Sequence, residues 1–438
     1  MSDEYKVYPG RDIFPIHTET ACMLKWSWST VNMTTAKSAS CHRTEFANLD
    51  PDNFASFHNL PEKIAARKLM LEGQWPGHGC EYCRNVEQRG GTSDRLMTLN
   101  RQHGLDKIPP ELLVNPQATE VTPTILEVYF NNTCNLSCIY CQPAQSSKWE
   151  EEIRKYGTFT TPGKTQMLAQ NTQPGYEQRV QALWQYLTDN NRYQTIRHFH
   201  LLGGESLLQR ELDMCMDFFE QHPNPSLTFN IVTNLMLPST QFQAKIDRFK
   251  QLVDKEAIFQ LEITGSLDCW GPEQEYVRHG LDLSTWQSNF EYLLDKPWIN
   301  VAIHSCINAL SIKTMPELIN KINQWNQLRP ADRQIDHSFD LVLGQGNSVV
   351  GLNPTAFGPD FFTKDFELIF NLMPDSTDGQ RTAKTQMSGL ARVINNSTKD
   401  LDKISNLIEY LTELDQRRNT NWHGVFPWLA QFEQPSII

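Results

Sequence analysis

The residues best placed to do chemistry are Cys134, Cys138 and Cys141, which follow one another in a C-x3-C-x2-C spacing. This spacing puts three thiolates on one short loop, close enough to face a single inorganic centre. A closed structural zinc site or an ordinary electron-transfer iron–sulfur cluster takes four protein ligands. Three local ligands would leave one iron of a [4Fe–4S] cluster open to a molecule that is not protein. The alternatives are a zinc loop with a distant fourth ligand, or three unrelated buried thiols.

From about residue 120 the sequence alternates short apolar runs with longer stretches whose apolar residues recur every three or four positions. Such alternation predicts an α/β fold in which parallel strands are joined by crossover helices. Six units are too few for a closed eight-fold barrel. The predicted strands are 125–130, 196–202, 227–232, 259–264, 301–305 and 339–343, and the predicted helices include 176–187, 208–222, 241–254, 285–294 and 316–328.

Polar clusters follow five of these six strands, directly where each strand ends. In a barrel of parallel strands the chemistry lies at the C-terminal strand ends, so we expect the clusters to gather at one end of the fold. They are the cysteine loop, Gly203-Gly204-Glu205-Ser206, Thr233-Asn234, Gly265-Ser266-Leu267-Asp268 and Gly344-Gln345-Gly346-Asn347.

The cysteine spacing, with Tyr140 directly before the last cysteine, resembles the signature of the radical S-adenosylmethionine (SAM) superfamily. In that superfamily the open iron chelates SAM, and reductive cleavage yields a 5′-deoxyadenosyl radical that abstracts hydrogen from a substrate. The resemblance implies a partial (β/α)6 TIM-like barrel at 120–350, a helical C-terminal extension at 355–438, and a reductant such as flavodoxin or ferredoxin.

The same resemblance implies a SAM site around the strand ends. Gly203-Gly204-Glu205 resembles the superfamily's glycine-glycine-glutamate motif, in which glycines allow close approach of the ligand and the glutamate accepts from the methionyl ammonium. Ser206 stands where many relatives have proline. Ser266 and Asp268 would face the ribose hydroxyls or the methionyl carboxylate.

Three further residues are expected at this site. Arg278 resembles the arginine that supports the methionyl carboxylate, although a surface ion pair is an equal alternative. Asn234 is a candidate polar group at the third strand, and Tyr140 would pack near the adenine. Cys269 and Cys306 lie beside strand ends, where a thiol could donate hydrogen to a radical intermediate; buried structural thiols are the alternative.

Four more cysteines precede the predicted barrel: Cys22, Cys41, Cys80 and Cys83. Cys80 and Cys83 form a C-x2-C chelate, and four thiolates suffice for zinc or for an iron–sulfur cluster. Together with the surrounding sequence, this set resembles radical SAM proteins that carry a twitch-type (shortened SPASM) domain ahead of the barrel. We therefore expect an N-terminal domain at 1–115 with an auxiliary [4Fe–4S] cluster, with zinc or no metal as alternatives.

Bulk composition limits the partners of this chain of 438 residues. Its formal net charge is −12, with 39 basic and 51 acidic residues, so a nucleic-acid or anionic-membrane binder is not expected. The first residues lack signal-peptide regions and no apolar run approaches a bilayer span, which predicts a cytoplasmic protein. We expect an enzyme that modifies a peptide or protein; the alternatives are a small metabolite (sugar or nucleotide) as substrate, or a non-catalytic metal-bound scaffold. A polar stretch at 157–175 is expected to be an inserted loop or lid.

Overall fold

The structure is a computed structural model of the chain, and it describes residues 14–77, 79–88, 93–100, 107–159, 172–342 and 350–433. Most of the polar stretch at 157–175 lies outside the described residues, as does the cluster Gly344-Gln345-Gly346-Asn347. No helix within the described ranges is long and apolar enough to cross a membrane.

The fold is mixed α/β and is organised around one nine-stranded sheet with the order β3-β2-β1-β4-β5-β6-β7-β8-β9. β1 and β4 to β9 run parallel, while β2 and β3 form an antiparallel edge. The strands are β1 (Trp28–Asn32), β2 (Lys37–Ala39), β3 (Ala47–Asn48), β4 (Ile125–Tyr129), β5 (His198–Leu202), β6 (Asn224–Thr233), β7 (Ile258–Ser266), β8 (Ile299–Ile307) and β9 (Asp336–Leu341).

Helices precede, connect and follow the strands. They are α1 (Met23–Ser27), α2 (Pro61–Leu71), α3 (Cys80–Gln88), α4 (Asp94–Asn100), α5 (Pro110–Val114), α6 (Ser147–Tyr156), α7 (Tyr176–Thr188), α8 (Arg210–Gln221), α9 (Ser239–Asp254), α10 (Pro272–Val277), α11 (Leu283–Leu294), α12 (Met315–Gln327), α13 (Thr363–Leu372), α14 (Asp378–Asn395), α15 (Leu401–Arg418) and α16 (Trp422–Val425).

The six strands predicted from residue 120 onward are confirmed as β4 to β9, and they lie in the sheet in chain order. Helices α7, α8, α9, α11 and α12 connect them as expected. One face of the sheet supplies the main core, because alternate strand residues such as Leu126, Phe199 and Ile263 are fully buried in it together with residues of these helices.

β1 was not predicted, and it lies beside β4 in parallel register, with Thr30 opposite Glu127. The sheet therefore runs across the boundary expected between residues 115 and 120. The sheet is also strongly curved. Arg43, in the connection between β2 and β3, approaches Asp340 of β9 with 3.9 Å between Nη2 and Oδ1, although these strands lie at opposite ends of the sheet order.

The C-terminal region is helical, as expected, and it packs into a second core. α13, α14 and α15 contribute buried residues, and Trp422 and Phe426 are fully buried against them. Lys313 lies 5.5 Å from the Trp428 ring centre and forms an ion pair with Asp365 at 3.2 Å. The terminal aromatic residues therefore attach the end of the chain to the region after β8.

Candidate metal and cofactor site

The cysteine loop follows β4 and holds its three thiols near one another. Cys138 is buried, while Cys134 and Cys141 are half-buried. The pKa of Cys134 and of Cys138 is raised to about 12, chiefly by burial and in smaller part by a neighbouring thiol. These two unliganded thiols are therefore protonated, and a metal centre must displace their protons when it binds.

The backbone of the loop is fixed by hydrogen bonds from several elements. Trp149 of α6 donates its indole N–H to the carbonyl of Cys138 at 2.8 Å. Ser146 donates its hydroxyl to the carbonyl of Leu136 at 2.6 Å. The Ile139 N–H donates to the carbonyl of Val277, at the end of α10, at 2.9 Å. Protein contacts from three elements thus set the conformation of the loop.

Gly203 and Gly204 are required for a contact different from the one expected. A Cβ on Gly204 would lie 2.5 Å from the carbonyl oxygens of Asn132 and Thr133, and one on Gly203 would lie 2.6 Å from the carbonyl oxygen of Asn131. The glycines allow close approach of the segment before the cysteines, and their contact with a ligand stays a prediction. The N–H of Gly204 also donates to the Asn131 carbonyl at 2.9 Å. The glycine motif therefore positions the cysteine loop.

Glu205 is buried and joins the ends of β5 and β6. Its carboxylate accepts hydrogen bonds from the Leu207 N–H at 3.0 Å, the Thr233 hydroxyl at 2.6 Å and the Asn234 N–H at 2.7 Å. Burial raises the pKa of Glu205, and these donors oppose that shift. A contact between Glu205 and a ligand ammonium stays a prediction. A carboxylate has roughly four lone-pair sites, so about one site on Glu205 remains to accept such a hydrogen bond.

Arg278 and Asp268 form a buried ion pair, so the alternative of a surface ion pair for Arg278 is wrong. Arg278 donates from Nε and Nη2 to the two Asp268 oxygens at 3.0 and 2.8 Å. Asp268 also accepts from the Tyr140 hydroxyl at 2.7 Å and from the Cys306 N–H at 2.8 Å. Four protein donors occupy this carboxylate. Asp268 therefore orients Arg278 and Tyr140 rather than offering free oxygens to a ligand.

Asn234 and Ser266 differ in whether their side chains keep a hydrogen-bonding group that is free to contact a ligand. The Asn234 amide donates to Asn135 Oδ1 at 2.8 Å and accepts from the Met236 N–H at 2.9 Å, so it supports the cysteine loop. The Ser266 hydroxyl, at the end of β7, has no hydrogen-bond partner among the described residues. Of these two predicted residues, Ser266 is the one with a free polar group.

Cys269 and Cys306 have different environments. Cys269 is fully buried and its thiol faces the Gln274 amide oxygen at 3.7 Å, in keeping with the structural alternative. Cys306 is half-buried and lies beside Tyr140, and burial raises the pKa of its thiol to about 12. Of these two cysteines, Cys306 is therefore the less buried one, and its backbone N–H contacts Asp268 of the Arg278–Asp268 pair.

The four N-terminal cysteines come together around one small cavity. Cys22 precedes α1, Cys41 follows β2, and Cys80 and Cys83 lie one turn apart on α3. Burial raises the pKa of Cys22 to about 12, and its three partner thiols add to that shift. Gly79 makes the convergence possible, because a Cβ there would lie 2.1 Å from the carbonyl oxygen of Arg43.

Two adjacent residues of α4 hold the segments that carry these thiols. Asp94 accepts a hydrogen bond from Arg43 Nε at 2.7 Å, and its carboxylate lies 3.2 Å from a ring nitrogen of His42. His42 is the residue that directly follows Cys41. Arg95 donates to the carbonyl of Ala21, directly before Cys22, at 2.8 Å. Outer contacts of this kind orient metal ligands.

Among the described residues, no three His, Cys, Asp or Glu side chains are grouped so that they could hold one metal ion. In a tetrahedral zinc site the sulfurs would lie about 3.8 Å apart, given a Zn–S distance of about 2.3 Å. A [4Fe–4S] cube binds each thiolate at a different iron and needs a wider spacing. The two kinds of centre therefore differ in the thiolate spacing that they require, and the metal held by either thiol set stays a prediction.

A row of polar residues on the face of the sheet opposite the main core was not predicted from the sequence. These residues lie side by side in register, and most are partly exposed. The sequence pattern could have predicted this row. Strands that are covered on both faces are continuous apolar runs, whereas polar and apolar residues alternate along these strands. The row consists of Thr30, Glu127, His200, Asn230, Glu262 and Asn300.

Comparison with known proteins does not assign this chain to a family. No family model matches the chain, and no curated protein matches it. One solved structure to which it is similar is described as native anSMEcpe with bound AdoMet and Kp18Cys peptide, with 15% identity and a TM-score of 0.33. The match covers 57% of this chain and 58% of that one. A TM-score this low does not establish a shared fold.

Proposed function

We propose that this protein is a radical SAM enzyme that modifies a peptide or protein. The observation that carries the proposal is the cysteine loop: three neighbouring thiols in the C-x3-C-x2-C spacing, on a backbone fixed by α6, α10 and the glycine motif. When bound, a [4Fe–4S] cluster and SAM would supply reductive cleavage to a 5′-deoxyadenosyl radical. Cys134, Cys138 and Cys141 would hold the cluster.

The chain's own residues would bind and orient SAM. The Arg278 side chain is kept charged and directed by Asp268, and it suits the methionyl carboxylate because a guanidinium matches a carboxylate geometrically. Ser266 offers a free hydroxyl for a ribose or carboxylate oxygen. Tyr140 presents its ring beside Arg278, which lies 5.6 Å from the ring centre, and its hydroxyl is fixed by Asp268.

The polar row is the proposed wall of the substrate cavity. It presents carboxylate, imidazole and amide groups from neighbouring strands, so it suits a ligand with many hydrogen-bonding groups. A backbone or polar side chain of a peptide meets that requirement. A sugar or nucleotide also would, and it remains the second candidate substrate class on the same observation.

The four N-terminal thiols are proposed to hold an auxiliary [4Fe–4S] cluster, with zinc as the alternative. Their support is the convergence of four thiols on one cavity and the fixed segments that carry them. The domain limits 1–115, 120–350 and 355–438 belong to this proposal, as does a flavodoxin or ferredoxin reductant.

Anaerobic reconstitution with iron and sulfide tests the proposal. The wild type should bind about eight irons, and replacing Cys134, Cys138 and Cys141 with alanine should remove about four of them. That variant should make no 5′-deoxyadenosine with dithionite, whereas Cys80→Ala/Cys83→Ala should keep cleaving SAM. Cys215→Ala, a buried cysteine of α8, is the matched control and should change neither quantity. Persistent 5′-deoxyadenosine in the triple variant would contradict the assignment.

A further inference from the structure

Lys25 is a buried lysine inside the cavity that the four N-terminal thiols line. It lies on α1, three residues after Cys22, and only 6% of it is exposed. Lysine is rarely buried this far unless its charge is paired. Its ammonium therefore needs partners that accept its N–H groups or balance its charge.

A second buried lysine shows what a satisfied ammonium looks like in the same region. Lys63 donates to Ser29 Oγ at 2.9 Å, to Ser38 Oγ at 2.7 Å and to the Ala39 carbonyl at 3.1 Å. Three oxygen acceptors match its three N–H groups. Lys25 forms no ion pair with a carboxylate and no side-chain hydrogen bond to oxygen within the described ranges. Lys63 is thus explained by folding alone, and Lys25 is not.

Two carboxylates beside the cavity are already engaged by other cations. Asp94 pairs with Arg43 at 2.7 Å. Glu87 pairs with Arg95 at 2.5 Å. Of the cations lining the cavity, Lys25 is therefore the one without a carboxylate partner among the described residues.

The Lys25 side chain contacts the thiols instead. It lines the same cavity as Cys22, Cys41, Cys80 and Cys83. It is also a hydrogen-bond partner of the Cys80 thiol. Thiolates in this cavity would supply the anionic partner that the buried ammonium lacks.

We propose that Lys25 is the counter-charge of an iron–sulfur centre held by Cys22, Cys41, Cys80 and Cys83, and that it raises the reduction potential of that centre. This rests on the auxiliary cluster proposed above. A fixed positive charge in a low-dielectric site stabilises the more negative, reduced state of a cluster. Lys25 is accordingly a positioning and tuning residue, not a ligand.

The experiment uses the full chain carrying Cys134→Ala, Cys138→Ala and Cys141→Ala, so that the four-thiol centre is the one measured. Iron and sulfide content are determined first, and about four of each are expected. The midpoint potential is then measured by EPR-monitored redox titration. Lys25→Met should keep the iron and shift the potential to more negative values, and Lys25→Arg should restore at least half of the shift.

Lys37→Met, which removes an exposed lysine of β2, is the matched control and should leave the potential unchanged. An unchanged potential in Lys25→Met overturns the role of Lys25. So does loss of iron in both Lys25→Met and Lys25→Arg, because the residue would then serve folding alone. Iron loss in Lys25→Met with full retention in Lys25→Arg supports the need for the charge. Stoichiometric zinc, or no metal, in the parent overturns the auxiliary cluster itself and is recognised from the metal content alone.

Discussion

Tyr410 donates its hydroxyl to the backbone carbonyl of Ile139 at 2.7 Å, across a separation of 271 residues. Both residues are fully buried, so helix α15 of the C-terminal region is part of the support of the cysteine loop. Replacing Tyr410 with phenylalanine removes this bond and leaves a buried carbonyl unpaired. We expect the free energy of unfolding in urea to fall by about 1–3 kcal/mol and the cluster of the loop to be lost faster under chelator. Tyr156→Phe, at a half-exposed tyrosine, should change neither; equal loss rates in the two variants would contradict the role of Tyr410.

Asp268→Asn tests whether the buried ion pair orients Arg278. The amide cannot satisfy both guanidinium N–H groups, and breaking a buried pair by removing one charge costs about 3–5 kcal/mol. SAM affinity, measured by calorimetry on the reconstituted protein, should fall together with the free energy of unfolding. The control is Glu151→Gln, which removes an exposed pair with Lys148 and should cost less than about 1 kcal/mol. A stability of Asp268→Asn within that range would show that the pair does not hold the site.

Gly204→Ala should disrupt the cysteine loop, because the added Cβ would lie 2.5 Å from the backbone carbonyl oxygens of Asn132 and Thr133. Relieving this clash would require the backbone of one of the two segments to move. We expect a loss of stability of several kcal/mol or no folded protein, read from urea unfolding. Gly389→Ala offers a sharp contrast, since nothing lies within 4 Å of its added Cβ on helix α14. That change should stabilise the protein by up to about 1 kcal/mol. Similar effects of the two substitutions would contradict the close contact.

The dependence of stability on pH should carry a contribution from His58. Its pKa is held well below the ordinary 6.5, first by burial and then by Arg67 and Lys63. Because the folded pKa is the lower one, the unfolded chain takes up a proton that the folded protein does not as the pH falls below about 6.5. His58 therefore contributes to a loss of stability on acidification, by up to about 1.4 kcal/mol per pH unit. His58→Gln should reduce the slope between pH 6.5 and 5; an unchanged slope would contradict this.

The strands β4 to β8 were predictable because each combines an apolar run with a following helix of clear period, as at Phe199 and Leu201 of β5 before α8. β1 to β3 were not, because runs as short and polar as Trp28–Asn32 owe their pairing to β4 rather than to their own pattern. The glycine motif was found, but its contact with the Asn132 carbonyl depends on tertiary structure. The sharing of Asp268 among four donors could not be read from the spacing either.

The approach of Arg43 to Asp340 has a consequence for access to the polar row. Within the described residues, β3 and β9 end the sequence of hydrogen-bonded strands, so this meeting of distant edges is a contact of side chains. The Arg43–Asp340 contact can therefore open without breaking a backbone hydrogen bond. The Asp340 side chain is 62% exposed, so it is already in contact with solvent. Salt screens such exposed pairs. Raising the ionic strength would therefore weaken this contact and ease the sideways entry of a bulky molecule to the polar row.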